Sequence, residues 1–240
     1  MFSLGSRLIS CLSRRRGRLA HQQLQLRERC LLEVALEHDL ADMASPSTPP
    51  RRCNLASGSS GDRPVCWSTM RVGRTPGRSA GRLDVGDVHA DLTLNLLAPM
   101  LLANAVVGGM RAAADGAIVT ISSTAGRTGV AYLHAYSAAK AGLITFTQSL
   151  AAECAADGVR VNCVCPGAVD TRSARDGRQE LSRLHGQHPR AYEDVMVSRT
   201  GLGRLVSADE VADVVCWLAT DAGRAVNGQV INVCGTLTMG

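Results

Sequence analysis

Three short runs rich in β-branched and apolar residues are separated by stretches long enough for one or more helices: Gly116 to Ser122 ("GAIVTIS"), Val159 to Val164 ("VRVNCV") and Gly228 to Val233 ("GQVINV"). That alternation constrains the fold more than any other feature. A strand that is apolar at nearly every position has no solvent face, so helices must cover both sides of its sheet, and strands joined through helices run parallel. The intervening segments agree. Asp87 to Ala113 reads as a long apolar helix, interrupted or adjusted around Pro99. Residues 135–156 are rich in Ala and Leu, with Gly142 the only helix-weakening residue. Ser207-Ala-Asp-Glu210 has the form of a capping box opening a further helix.

The first part of the chain is of another kind. Residues 1–84 carry an excess of arginine over acids and residues 85–240 a slight excess of acids, within a net charge of +5. The segments "SRRRGR", "ASPSTPPRRC", "ASGSSGDRP" and "RVGRTPGRSAGR" have neither a two-residue nor a 3.6-residue apolar rhythm, so irregular, low-order chain is expected. One amphipathic helix fits within 19–43, with Leu24, Arg27, Leu31, Val34 and His38 on successive turns. Residues 1–27 contain arginine and no acid, a composition shared with transit peptides; arginine-biased coding along the whole chain is the preferred account of it. Only Phe2 and Trp67 are available there to stack on bases, which argues against nucleic acid as a partner. No run approaches the roughly 18 apolar residues of a membrane span, so a soluble protein is expected. The nine cysteines are irregularly spaced, and Cys163 and Cys165 are too close along one strand face for a normal bridge. They suit a reduced, cytoplasmic compartment, with thiols used as small core residues.

Against this background one pair stands out. The chain has three tyrosines and a single lysine, and in "HAYSAAKAG" Tyr136 and Lys140 are four residues apart, on the same face of the expected helix. A free phenol titrates near about 10 and exchanges protons poorly at neutral pH. A cation within roughly 4–6 Å lowers that value by about 1–3 units. Arginine is a wide, planar fork and would not replace a compact ammonium at such a spot. Ser123 follows the first of the three strands, at the carboxyl edge where open parallel sheets hold ligands. Its hydroxyl can donate to a carbonyl oxygen as charge builds there; taken alone, a serine at this place is more often a strand-end hydrogen bonder.

"TISSTAG", the spacing from Ser123 to "YSAAK", then "VRVNCVCPGAVDT" and "GRLVSADEVADVVCWLATD", together resemble the short-chain dehydrogenase/reductase family from about residue 85 to 240. The variety similar to 3-oxoacyl-carrier-protein reductases fits best. The resemblance implies an NAD- or NADP-dependent oxidoreductase that interconverts a small-molecule carbonyl and alcohol. It implies Tyr136 as general acid/base and Lys140 as the group that lowers its pKa and binds the nicotinamide ribose. Ser123 would hold the substrate oxygen, and Asn95 a proton-relay water. Pro166, Gly167, Val169 and Thr171 match the segment that contacts the nicotinamide, and residues 172–200 the mobile lid over the substrate. His185 and His188 in that stretch lack carboxylate partners, and no metal is expected. Homo-oligomerisation through helices 88–113 and 135–157 is also implied.

The resemblance is partial. The family's Gly-rich turn, which brings backbone to the pyrophosphate at a helix N-terminus, is not found. The nearest string, Gly73 to Ser79, ends in Ser and follows no apolar run. The Asn-Asn-Ala-Gly strand end is also missing, with "RSAG" at 78–81 only an echo, and Thr236 stands where a second Gly is usual. By analogy strands one to four are absent, leaving an incomplete Rossmann-like, doubly wound parallel sheet and strand 117–121 with an open inner edge. The chain thus reads as a low-order region, 1–84, followed by a catalytic and substrate-binding portion, 85–240. Residues 1–84 are compatible with a truncated or shifted reading of a region that once encoded the missing strands. The alternative to an active enzyme is a catalytically impaired remnant acting as a dimerisation or interaction module.

Overall fold

The computed structural model describes residues 65–68 and 77–239; the helix expected within 19–43 lies outside them. Four parallel strands form one sheet in chain order: β1 (Val65–Ser68), β2 (Gly116–Ile121), β3 (Val159–Pro166) and β4 (Val230–Val233). The three strands expected from the sequence are present. The open inner edge is not: Val65 to Ser68 pair in parallel with Ala117 to Thr120, so the sheet starts upstream of residue 85. That run was missed because Cys66, Trp67 and Ser68 lack the continuous aliphatic character of a covered parallel strand.

Helices cover both faces. α1 (Val85–Leu92), a π-helical turn (Thr93–Leu97) and α2 (Ala98–Ala113) form one continuous rod. α3 (His134–Cys154) lies beside it. Ala103, Val106 and Met110 of α2 pack with Ile118, Val159 and Val161 of the sheet and with Ala151 and Cys154 of α3. On the opposite face α6 (Ala208–Ala219) packs Val211, Ala212, Val215 and Leu218 onto Val119, Ile121 and Val164. Adjacent strand residues Ile118 and Val119 thus feed different cores, as the two-residue period of a strand requires. Between β3 and α6 lie α4 (Arg172–Leu184) and α5 (Pro189–Ser198).

The adjustment expected near Pro99 is the π-helical turn, whose exit is marked by Ala98 N–H reaching back five residues to Thr93 O. Proline has no N–H to give to a regular helix, and a widened turn just before it relieves the mismatch. The rod Val85–Ala113 spans 29 residues and by length and composition is apolar enough to cross a bilayer, which corrects the expectation that no such run exists. Asp87, His89 and Asp91 near its start hid it from a search for uninterrupted apolar residues. One face of it is core of the α/β unit, with Ala98, Ala103, Val106 and Met110 buried.

Two devices join the layers, one polar and one a close backbone approach. Arg160, buried on β3, donates to Leu218 O at 2.7 Å and Gly223 O at 3.0 Å, gathering the carbonyls at the C-terminal end of α6. Asn162 and Asn227 then set β4 beside β3: Asn162 Nδ2 donates to Val226 O, Gln229 N to Asn162 Oδ1, and Val161 N to Asn227 Oδ1. The second device is a close approach. A Cβ on Gly126, at the end of the 3-10 turn Thr124–Gly126, would lie 2.7 Å from Lys140 C and 2.9 Å from Ala141 N. Gly142 makes similar room for Leu96, which explains the one glycine in that helix.

Replacing Arg160 with methionine is expected to cost about 3 kcal/mol, because several buried carbonyls lose a charged donor; urea unfolding should show a lower midpoint at unchanged slope. Gly126→Ala should cost about 2 kcal/mol through overpacking against helix backbone. Gly129→Ala, where an added Cβ meets nothing within 4 Å, should leave the midpoint nearly unmoved in the same assay.

Candidate active site

The carboxyl ends of β2 and β3 carry the candidate residues. Lys140 is 1% exposed, and its Nζ donates to Ile121 O at 3.0 Å, the last carbonyl of β2. Ser122 Oγ donates to Lys140 O at 2.8 Å, so the lysine is tied to the strand end through both its head and its backbone. The ammonium lies 5.7 Å from the centroid of the Tyr136 ring, itself buried at 7% exposure. The helical spacing therefore does bring the pair together, inside the protein. Burial pushes Lys140 down to about 8, opposed by nearby Cys163, Cys165 and Asp91. Below about 8 the ammonium keeps its charge, so a cation faces the phenol ring at neutral pH.

Ser123 is half-buried, and its Oγ accepts from Ala125 N at 3.1 Å while capping the 3-10 turn. Because that bond uses an oxygen lone pair, the hydroxyl proton stays available to an incoming acceptor. Asn95 sits inside the π-helical turn and is fully buried; its Nδ2 donates to Asp91 O at 3.1 Å and to Asp91 Oδ1 at 3.4 Å. π-helical turns recur at functional sites because they turn one side chain away from the regular helical face.

The segment after β3 is held against β4. Pro166 pairs with Val233, and Gly167 N donates to Val233 O at 3.0 Å. A Cβ on Gly167 would lie 2.6 Å from Cys234 Cβ, so only glycine fits there. Val169 is buried and bridges Val206, while Thr171 caps α4 by accepting from Ala174 N at 3.2 Å. Gly167 thus makes room for Cys234, and Pro166 to Thr171 leave β3 at its carboxyl end, the edge where open parallel sheets hold ligands and where Lys140 is tied to β2. The described residues contain no Gly-rich turn of the pyrophosphate-binding kind.

Residues 172–200 form the two helices α4 and α5, which dock rather than loop. Leu181 and Tyr192 from these helices bury against Ala125, Leu133 and Tyr136, with Tyr132, Leu184 and Met196 around them. His185 meets Tyr132 edge-on at 4.9 Å and Tyr192 at 5.5 Å between ring centroids. All three tyrosines of the chain thus lie in or beside one apolar wall at the candidate catalytic residue. Tyr132 holds a left-handed φ of 67, a costly conformation for a bulky residue and one found where a site needs a particular side-chain direction. Arg178 went unnoticed in an arginine-rich segment. Its buried guanidinium donates to Val169 O at 3.0 Å and to Glu193 Oε2 at 3.3 Å, linking α4, α5 and the segment after β3. Among the described residues, no three His, Cys, Asp or Glu gather as metal ligands would.

Residues 71–238 match a family model described as enoyl-(acyl carrier protein) reductase. A protein named as the ketoacyl reductase of the monensin polyketide synthase of Streptomyces virginiae is 36% identical over 65% of this chain and 68% of its own length. A 3-oxoacyl-acyl-carrier-protein reductase of Pseudomonas aeruginosa is 39% identical over 60% of this chain and 54% of its own. The crystal structure of an actinorhodin polyketide ketoreductase with NADPH superposes with a TM-score of 0.68 at 34% identity, covering 72% of this chain and 66% of that one. The chain therefore spans about half to two thirds of the length of the curated relatives it matches. With its parallel sheet, its Tyr136–Lys140 helix and a match over most of its length, the chain belongs to the short-chain dehydrogenase/reductase family.

Proposed function

We propose that the chain carries the catalytic half of an NAD(P)-dependent ketoreductase acting on a ketone within an acyl-type substrate. The observation that carries this reading is the buried Lys140 ammonium, 5.7 Å from the Tyr136 ring at the carboxyl edge of a parallel sheet. Pro166, Gly167, Val169 and Thr171 would line the nicotinamide, with Lys140 at the ribose; when bound, that cofactor supplies or accepts the hydride. Ser123 Oγ–H donates to the substrate oxygen and orients it. Tyr136 gives its phenolic proton to that oxygen in reduction and takes one in the reverse direction, while Lys140 stabilises the phenolate. Asn95 serves the same region from the π-helical turn, holding a water that returns protons. Tyr132, Leu181 and Tyr192 shield the reacting carbon from solvent and favour an apolar substrate.

The ketoacyl reductase names of the relatives support the substrate class. The exposure of Leu97 and Leu101 on the α1–α2 rod supports pairing of this face with a second copy, through segments 88–113 and 135–157. Cys154, Cys163, Cys165, Cys216 and Cys234 are free thiols, in keeping with the cytoplasm as the compartment.

Nicotinamide fluorescence titration together with turnover of a 3-oxoacyl thioester tests the reading. Tyr136→Phe should retain cofactor binding and lose about a thousandfold in kcat, the scale of a lost acid/base group. Equal turnover in both proteins would overturn the assignment. Lys140→Met should move the pH for half-maximal alcohol oxidation up by about 1–3 units, because the phenolate loses its cation. An unshifted profile would show that Lys140 acts only structurally.

A further inference from the structure

The strand that completes the sheet has the least strand-like sequence in it. β1 is Val65-Cys66-Trp67-Ser68, beside the fully buried β2, where aliphatic residues are expected. It lies in the arginine-, serine- and glycine-rich part of the chain, upstream of the composition break near residue 85. Twenty-five arginines to one lysine is the bias that G- and C-rich DNA favours, because arginine has codons of that kind and lysine has none. Out-of-frame reading of such DNA yields Arg, Ser, Gly, Pro, Cys and Trp.

The genetic code allows the adjacent frames to be written from the protein sequence. With the four-codon blocks of serine and arginine, Val65 to Gly73 is encoded GTN TGY TGG TCN ACN ATG CGN GTN GGN. Read one nucleotide earlier, Val65–Cys66 spells Val, Leu or Met, Cys66–Trp67 spells Leu, and Trp67–Ser68 spells Val. Ser68–Thr69 and Thr69–Met70 are each confined to Asn, Asp, His or Tyr. Met70–Arg71 spells Ala, and Arg71–Val72 is confined to Gly, Arg, Ser or Cys. The Leu, Val and Ala depend on no wobble choice, and every position admits the string apolar-Leu-Val-Asn-Asn-Ala-Gly. That is an aliphatic strand running into the Asn-Asn-Ala-Gly end absent from the translated chain. The remaining frame puts Gly across Trp67–Ser68 and Cys across Met70–Arg71, which fits neither a covered strand nor that strand end.

We infer that codons 65–72 are translated one nucleotide out of register with the catalytic half, so that the Asn-Asn-Ala-Gly string missing from the chain is encoded by the same DNA in the displaced frame. The two observations are independent: the backbone puts a parallel strand here, level with Ala117 to Thr120, and the codons supply a covered strand's residues at that place. The family match begins at residue 71, so the return to the catalytic frame falls close to the end of this stretch. In the displaced frame the chain leaves the carboxyl edge through small residues that allow a dinucleotide to approach the backbone closely. Only this binding consequence rests on the nicotinamide reading of the site; the coding argument does not.

The test is the sequence of the gene and transcript across codons 65–73, with peptide mass spectrometry of the protein from its native cells. Expected are A as third base of the Ser68 and Thr69 codons, G as third base of the Arg71 codon, and a native peptide containing Leu-Val-Asn-Asn-Ala. A native peptide containing Val-Cys-Trp-Ser-Thr-Met, or third bases that give neither Asn, overturns the inference. A chain whose displaced frame is joined to the catalytic frame by a single-nucleotide change should bind NADPH at least tenfold more tightly than residues 1–240. If the codons match and the joined chain binds no nicotinamide, the functional reading fails while the frame inference stands.

Discussion

One buried ammonium organises the catalytic end of this protein. Lys140 Nζ is held by the last carbonyl of β2, its own backbone carbonyl accepts from Ser122, and Gly126 has no Cβ because the lysine's backbone occupies that space. The strand end, the turn that presents Ser123 and the helix that presents Tyr136 are thereby locked to one another. Burying a charge is expensive, and its cost shows in the downward shift of Lys140 to about 8. The structure keeps the charge because the strand-end carbonyl and the Tyr136 ring both face it. Arginine could not sit there without displacing both.

The rest of the fold presents that rim to a ligand from both sides. Arg160 and the Asn162–Asn227 pair fasten α6 and β4 to β3 below it, and Gly167 lets the chain leaving β3 pack against Cys234. Above it, α4 and α5 close over Tyr136 with an aromatic and aliphatic wall, anchored to Val169 by Arg178. The two helices are docked by this apolar wall and the Arg178 link, and the strand ends beneath are held by backbone ladders.

The relatives and the amino-acid sequence point to the same incompleteness. The chain matches about half to two thirds of its relatives' length, and the half that it shares is the one carrying Ser123, Tyr136 and Lys140. The backbone of β1 joins the sheet beside β2, although the sequence Val-Cys-Trp-Ser lacks the aliphatic run of a covered strand. Backbone pairing tolerates a wrong sequence more readily than core packing does, because ladder hydrogen bonds are common to all residues.

Local pattern alone determined the parallel α/β class, the three aliphatic strands, the capping box at Ser207 and the shared face of Tyr136 and Lys140. Each follows from a period, a cap or a one-turn spacing, and such rules need no knowledge of distant residues. Tertiary structure decided the rest: the pairing of β1, the π-helical turn around Asn95, the burial of Lys140, the Gly126 and Gly167 approaches, and the links made by Arg160 and Arg178. These depend on which atoms lie opposite one another after folding. A glycine is required only by what fills the space where its Cβ would be, and a buried arginine acquires its role only from the carbonyls that converge on it.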